Sequence, residues 1–455
     1  MRRFSSWMSS GAPVQEKDRE PPKLSKRAYG YVKEGERMKQ IAELSANQYS
    51  KDNPDGVVIA GIAQNSILQE ELADYFNAHL ELKEQDFSYG DSISSSDRLA
   101  HALNALFKTR FNSRVDLKPD QFVFGGGLTA IIDQLTSLVC DVGEGILIAE
   151  PYYNGFNHDI TGRSEGIPVG VSLKDFDDLA SPATLDAFED KLTELKSQDG
   201  PTIRAVILCS PHNPCGFTYP RETIIRYLQF VEKHDLHLFV DEIYALTTFA
   251  NPNMPNAPPF QSILSFDIGK ESGCDPSRVH CLYGASKDFS VNGLRIGVFS
   301  SPWNKQFMTA FQANSIFMKI SSASDALWST LLNDRDYLDK YIHKNSRELA
   351  ATYAHSACFL RANGVPFREA NSAMFIWMDL RKFLRTKTDA GVVLSSQQAQ
   401  EDDLAAELIK AGIFIAPGQI YAAPEPGFFR LTFTLRMDYL DVALSRFKKV
   451  LDARR

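Results

Sequence analysis

Short apolar runs without polar alternation recur along the first two thirds of the chain, at 121–124, 145–149, 203–208, 237–240, 280–283 and 296–300. Such runs, rich in Val, Ile, Leu and Phe, read as strands buried on both faces. Between them lie stretches whose apolar residues return every three or four positions, as in 131–139 and 220–234, which read as amphipathic helices. The alternation predicts an α/β fold with a mostly parallel central sheet and helices on both faces. After a long helical region, 305–363, a strand at 374–378, a helix at 402–411 and a strand at 429–433 predict a smaller α+β domain. The polar segment 385–400 reads as an exposed loop, and the polar, Pro-containing residues 1–25 as a mobile amino-terminal arm. No internal repeat is found.

The chemistry collects where these predicted strands end. Lys287 stands in Tyr283-Gly-Ala-Ser-Lys-Asp288, just after an apolar run, and Arg295 follows eight residues later in Asn292-Gly-Leu-Arg-Ile-Gly297. A lysine amine can form a Schiff base with an aldehyde, and an arginine can grip a phosphate with two donors, so the pair suits an aldehyde cofactor that carries a phosphate. Three upstream segments add to it. Phe122-Val-Phe-Gly-Gly-Gly-Leu-Thr-Ala130 is a strand, a glycine turn and a helix start, where the amides of Gly127, Leu128 and Thr129 can bind a phosphate. Ala205-Val-Ile-Leu-Cys-Ser-Pro-His-Asn-Pro-Cys-Gly216 runs a strand into a Pro/Gly loop that carries Asn213. His237-Leu-Phe-Val-Asp-Glu-Ile-Tyr244 places Asp241 at a strand's carboxyl end, where it can hold a ring nitrogen protonated and make the ring an electron sink. Taken singly, each segment has a plainer reading: a turn, a loop, a solvated cap. Their order is the argument.

That order resembles the fold-type I pyridoxal-phosphate (PLP) enzymes of the class I/II aminotransferase family, with one departure: Gly284 stands where the family pattern has a serine. The resemblance implies that Lys287 carries the cofactor, that Ser286 and Arg295 contact its phosphate, and that Asn213 and Tyr244 bond its phenolic oxygen. Ile146-Leu-Ile-Ala-Glu-Pro-Tyr-Tyr153 supplies the stacking ring, and family spacing favours Tyr153 over Tyr152. Arg430, in Phe428-Phe-Arg-Leu-Thr-Phe433, is implied as the ligand of the substrate α-carboxylate. Tyr89 is implied to reach a neighbouring subunit's phosphate, because the family builds each site from two subunits. Segment 26–75 is implied to complete the small domain, with 76–320 as the large domain and 321–455 as the carboxyl-terminal part of the small one.

Asn53-Pro-Asp-Gly…Ala63-Gln-Asn65, Glu150-Pro-Tyr-Tyr-Asn-Gly-Phe156, Ala370-Asn-Ser-Ala-Met-Phe-Ile-Trp377 and Glu425-Pro-Gly-Phe-Phe-Arg430 are similar to the 1-aminocyclopropane-1-carboxylate (ACC) synthase subgroup. Where ACC synthases carry a glutamate this chain has Gln64, an amide that offers hydrogen bonds without the charge a cationic sulfonium substrate would favour. The expectation is a PLP-dependent lyase acting at the β or γ carbon of an amino-acid-type substrate, such as carbon–sulfur cleavage in specialised metabolism. The alternatives are an aminotransferase, then a true ACC synthase or a PLP-binding regulator without turnover. A homodimer is expected, in the cytoplasm.

Composition narrows this little. The chain has 455 residues, is 44% hydrophobic and carries a net charge of -8, which is enough for a large core and offers no basic stripe for nucleic acid. No apolar run approaches the roughly 20 residues of a membrane helix. Six cysteines show no metal-binding spacing and read as buried free thiols, so no metal is expected.

Overall fold

The structure is a computed structural model that describes residues 22–455; residues 1–21, which hold most of the expected arm, lie outside the described part. The chain divides into two compact units at Gly56. In the first, a helix spans Lys26–Ala46, its first turn capped by the Ser25 hydroxyl accepting from the Ala28 amide at 3.2 Å. A turn follows, closed by Asn53 Nδ2 donating to Asn47 Oδ1 and the Gln48 carbonyl, both at 3.1 Å.

The second unit carries β1 (Val58–Ile59), β2 (Phe122–Gly125), β3 (Gly145–Glu150), β4 (Ile167–Ser172), β5 (Ile203–Cys209) and β6 (His237–Asp241). It continues with β7 (Val279–Gly284), β8 (Gly297–Ser300), β9 (Phe375–Asp379), β10 (Ile413–Phe414), β11 (Ala416–Pro417) and β12 (Phe428–Thr432). Seven strands form the main sheet in the order β2-β8-β7-β6-β5-β3-β4. The pairs β3–β4, β3–β5, β5–β6 and β6–β7 are parallel, and β8 pairs antiparallel with both β7 and β2.

Successive residues of the central strands enter opposite cores. Val206, Leu208, Leu238 and Val240 join one cluster, with Leu103 and Phe107 of the helix Asp97–Arg110 and Leu228 of the helix Arg221–His234. Ala205, Ile207 and Phe239 join the other, with Ile131 and Leu135 of the helix Leu128–Val139, Phe156 and Ile160 of the helix Gly155–Thr161, and Phe311 of the helix Lys305–Asn314. Both faces are thus covered, which is why these strands read as unbroken apolar runs rather than alternating ones.

The remaining strands form two small sheets. β12 lies between β11 and β9, antiparallel to both, and β1 pairs parallel with β10, bringing residues near 58 beside residues near 413. Three corrections to the sequence reading follow. The 305–363 region is three helices, Lys305–Asn314, Ser322–Asn333 and Arg335–Ala362, because the first ends in a 3-10 turn at Ser315–Phe317. The exposed loop after 385 stops at Ser396, whose hydroxyl caps the helix Gln397–Lys410. Of the six cysteines five are buried as free thiols, while Cys358 is exposed.

Candidate active site

The site lies at the carboxyl ends of the central parallel strands, the usual place for a ligand in such a sheet. Asp241 ends β6 and Cys209, its register partner, ends β5; Lys287 lies in the short helix Ala285–Asp288 that directly follows β7, where the sequence suggested a loop. Together with Leu128, Thr129, Tyr153, Asn213, Tyr244, Ser286 and Arg295 these residues line one cavity of about 540 Å³.

Lys287 is half-buried, and its Nζ donates to the Ala63 carbonyl at 2.7 Å. Burial, then the Arg430 and Arg295 guanidinium groups, lower its ammonium from the ordinary 10.5 to about 7, against the opposing pull of Asp241. A large share of the amine is therefore uncharged near neutrality. Asp241, 4% exposed, accepts the Ile243 amide through Oδ1 at 3.1 Å. Burial raises its carboxyl to about 7, while that amide and Lys287 act in the opposite direction.

Asn213 and Tyr244 are buried and joined, Nδ2 donating to the phenolic oxygen at 3.3 Å. Asn213 Oδ1 in turn accepts from Arg430 at 2.9 Å, linking the main sheet's site to β12. Arg430 is 2% exposed. Its second bond goes to the Gly61 carbonyl at 2.7 Å, and its Nε is buried without a partner among the described residues. The guanidinium lies 3.9 Å from the ring centre of Phe375 and 4.5 Å from that of Tyr421. Aromatic rings and neutral acceptors hold this charge in place without neutralising it, which suits a carboxylate ligand.

The glycine loop after β2 is a tight fit. Gly127 has φ +90, and a Cβ there would collide with the Arg295 guanidinium. Arg295 itself is anchored by donating to the carbonyls of Asn292 at 3.0 Å and Gly126 at 3.2 Å. The Gly127 amide donates to the Gly125 carbonyl at 2.6 Å. Leu128 and Thr129 open the helix Leu128–Val139, where first-turn amides lack an acceptor within the helix. Ser286 is buried beside them. An anion-accepting helix start, an arginine, an amine near its neutral form and a buried carboxylate fit pyridoxal phosphate group for group.

Tyr153 lines the cavity, while Tyr152 turns away and donates its hydroxyl to Asn157 at 2.8 Å. Two anticipated residues stand apart. Gln64 has an exposed side chain, and only its backbone is tied in, the carbonyl accepting the Thr434 hydroxyl at 2.8 Å. Tyr89 is 90% exposed and borders a separate concavity, of about 890 Å³, lined also by Gln85, Ser94, Arg98 and Lys319. That space is larger but holds none of the groups gathered around Lys287. Residues that the sequence reading did not include also join the site: Asp159, Phe375, Tyr421 and the carbonyls of Gly61 and Ala63. Among the described residues no cluster of His, Cys, Asp or Glu could hold a metal ion, and no helix is long and apolar enough to cross a membrane.

Residues 39–447 match the family Aminotransferase class I and II, and the chain belongs to that family. It is 30% identical over 393 residues to "Probable aminotransferase aclI" of Aspergillus oryzae, covering 86% of this chain and 89% of that one. It is 30% identical over 423 residues to "Probable aminotransferase gliI" of Aspergillus fumigatus, covering 91% and 92%. A 1-aminocyclopropane-1-carboxylate synthase of Cucurbita pepo is 28% identical over 410 residues, covering 88% and 79%. Among solved structures, aspartate aminotransferase from Thermus thermophilus with maleate superposes with a TM-score of 0.70 at 18% identity, over 94% of this chain and all of that one, which establishes the shared fold.

Proposed function

We propose that this class I and II aminotransferase family enzyme uses pyridoxal phosphate, held by Lys287, to remove the Cα proton of an amino-acid-type substrate and then to break a bond at its β or γ carbon. One observation carries the reading. Lys287, with an amine lowered to about 7, stands in a single cavity with Asp241 and is flanked by Arg430, a buried cation bonded only to neutral acceptors.

Bound through its aldehyde, pyridoxal phosphate supplies a ring that accepts the electron pair left when the Cα proton departs. The residues divide the remaining work. Leu128, Thr129, Ser286 and Arg295 receive the phosphate. Asp241 would keep the ring nitrogen protonated through its charge, Asn213 with Tyr244 would bond the phenolic oxygen, and Tyr153 would stack on the ring. Arg430 grips the α-carboxylate and so turns the Cα–H bond toward Lys287. With the cofactor and substrate bound, the Lys287 amine would accept that proton, a role suited to a base poised near neutral pH.

The preference for β- or γ-bond cleavage rests on the motifs shared with ACC synthases. The relatives named as probable aminotransferases favour a second reading, transfer of the amino group to a 2-oxo acid. Turnover of sulfur-bearing amino acids without any 2-oxo acid separates the two. Thiol released over many cycles supports cleavage. Keto acid formed once per site, followed by arrest until a 2-oxo acid is added and with no thiol at any stage, replaces it with transamination.

A further inference from the structure

A second carboxyl, that of Asp159, enters the same cavity as Asp241. It sits on the helix Gly155–Thr161, six residues after Tyr153. The residue is 3% exposed, and its Oδ2 is buried with no hydrogen-bond partner among the described residues. Its neighbours Phe156 and Ile160 belong to the apolar core, so the helix presents one polar group within an otherwise apolar face. A buried carboxylate without donors is costly, and a carboxylic acid in the same place is far less so.

The charges that face Asp159 can be named. Asp133, on the helix Leu128–Val139, repels it, although Asp133 is bound by Arg163. Asp241, at the end of β6, repels it as well. Arg295 attracts it, but that guanidinium is exposed and already donates to two carbonyls. The Tyr153 phenol and the exposed His158 complete the surroundings. Burial, then this repulsion, raises the Asp159 carboxyl to about 7. The geometry differs between the two carboxyls: Asp241 accepts the Ile243 amide and has Lys287 nearby, whereas the buried Asp159 Oδ2 has no donor among the described residues.

We infer that Asp159 is a positioning residue that acts through Asp241: it retains a proton within the cofactor cavity, so that Asp241 alone presents negative charge to the ring nitrogen. The inference rests on the cofactor seating proposed above. It implies that the charge at the ring end of the cavity changes when Asp159 ionises, and that an amide in its place fixes the low-pH condition.

The test compares holoenzyme with Asp159→Asn, which keeps the shape and cannot ionise. Infrared spectra across the range around pH 7 should show a buried protonated carboxyl in the wild type whose titration is missing from Asp159→Asn. The visible band of the bound cofactor should show a step near pH 7 in the wild type and none in the variant. Cofactor retention below that step should agree within about twofold, far less than a one-unit pKa change would produce. A space-filling role would leave both titrations as they are, and superimposable curves overturn the inference. If Asp159→Asn does not fold, Asp159→Ser takes its place and must lose the same step. Asp241→Asn reports on the seating alone: unchanged cofactor retention by equilibrium dialysis overturns the seating, whatever the Asp159 variants do.

Discussion

Buried charges without matched partners define this site at the residue scale, and each makes a measurable demand. Arg430 donates to an amide oxygen and a backbone carbonyl while two aromatic rings enclose it. Lysine in its place keeps the charge but loses the forked pair of donors. Arg430→Lys should therefore raise KM for the amino acid with a smaller effect on kcat, and Arg430→Ala should lower kcat/KM by about 10²- to 10³-fold, the loss expected when one member of a buried charge pair is removed. Steady-state kinetics with substrates bearing and lacking the α-carboxylate checks this: a loss equal for both would show that the arginine serves the fold and not the ligand.

Lys287 makes a demand on pH. Its ammonium is lowered from 10.5 to about 7, and only the uncharged amine attacks an aldehyde. Capture of pyridoxal phosphate by the apoenzyme should accelerate as pH rises through about 7 and level off above it, as followed by stopped-flow absorbance. A rate that keeps climbing toward pH 10 would mean that the lysine is ordinary. Lys287, Asp241, Asn213 and Arg430 were legible in the sequence because each ends a strand, follows one or interrupts an apolar run. Asp159 carried no such punctuation, although an acid between Phe156 and Ile160 on one helical face is a signal that could have been read. The carbonyls of Gly61 and Ala63 were illegible in principle, since every residue carries one.

Among the elements, the glycine turn between β2 and the helix Leu128–Val139 is tightly constrained. Gly127 combines φ +90 with the Arg295 guanidinium where a Cβ would stand. Gly127→Ala therefore meets strain and a collision together, and the side chain that must yield is the proposed phosphate arginine. Cofactor affinity should fall by at least about tenfold while apoenzyme stability falls by only about 1–3 kcal/mol. Fluorescence titration of the apoenzyme and thermal unfolding measure the two, and an unaltered affinity would detach Arg295 from phosphate binding. The main strands were legible because burial on both faces writes continuous apolar runs. β4 was not: it lies at the sheet's edge, and Pro168 and Gly170 interrupt it. β1, β10 and β11 span two residues each, too few for any periodicity, and are fixed by pairing across more than 350 positions in the case of β1 and β10.

For the whole molecule, the parts that stand apart from the cavity point to a second copy of the chain. Phe87 at 81% exposure, Tyr89 at 90%, Ile93 at 61% and Phe317 at 75% lie in two segments that Lys319 ties together by donating to the Tyr89 and Ser92 carbonyls. Exposed aromatic and aliphatic side chains on these two segments, with Tyr89 itself lining the concavity, suit a surface that association covers. The proposal is a homodimer in which the partner's Tyr89 completes the phosphate site next to Lys287. Tyr89→Ala alone should weaken cofactor binding, and Lys287→Ala alone should abolish reducible attachment. In a mixed dimer of the two variants, the subunit that keeps Lys287 faces a partner that keeps Tyr89, so one site is fully native. Mixing and re-equilibrating the variants should then restore wild-type cofactor affinity in about half of the subunits that carry Lys287, the share expected for random pairing of equal amounts. Borohydride labelling at limiting cofactor measures that fraction. If Tyr89 acts within its own chain, every Lys287-bearing subunit still lacks it, and mixing restores nothing.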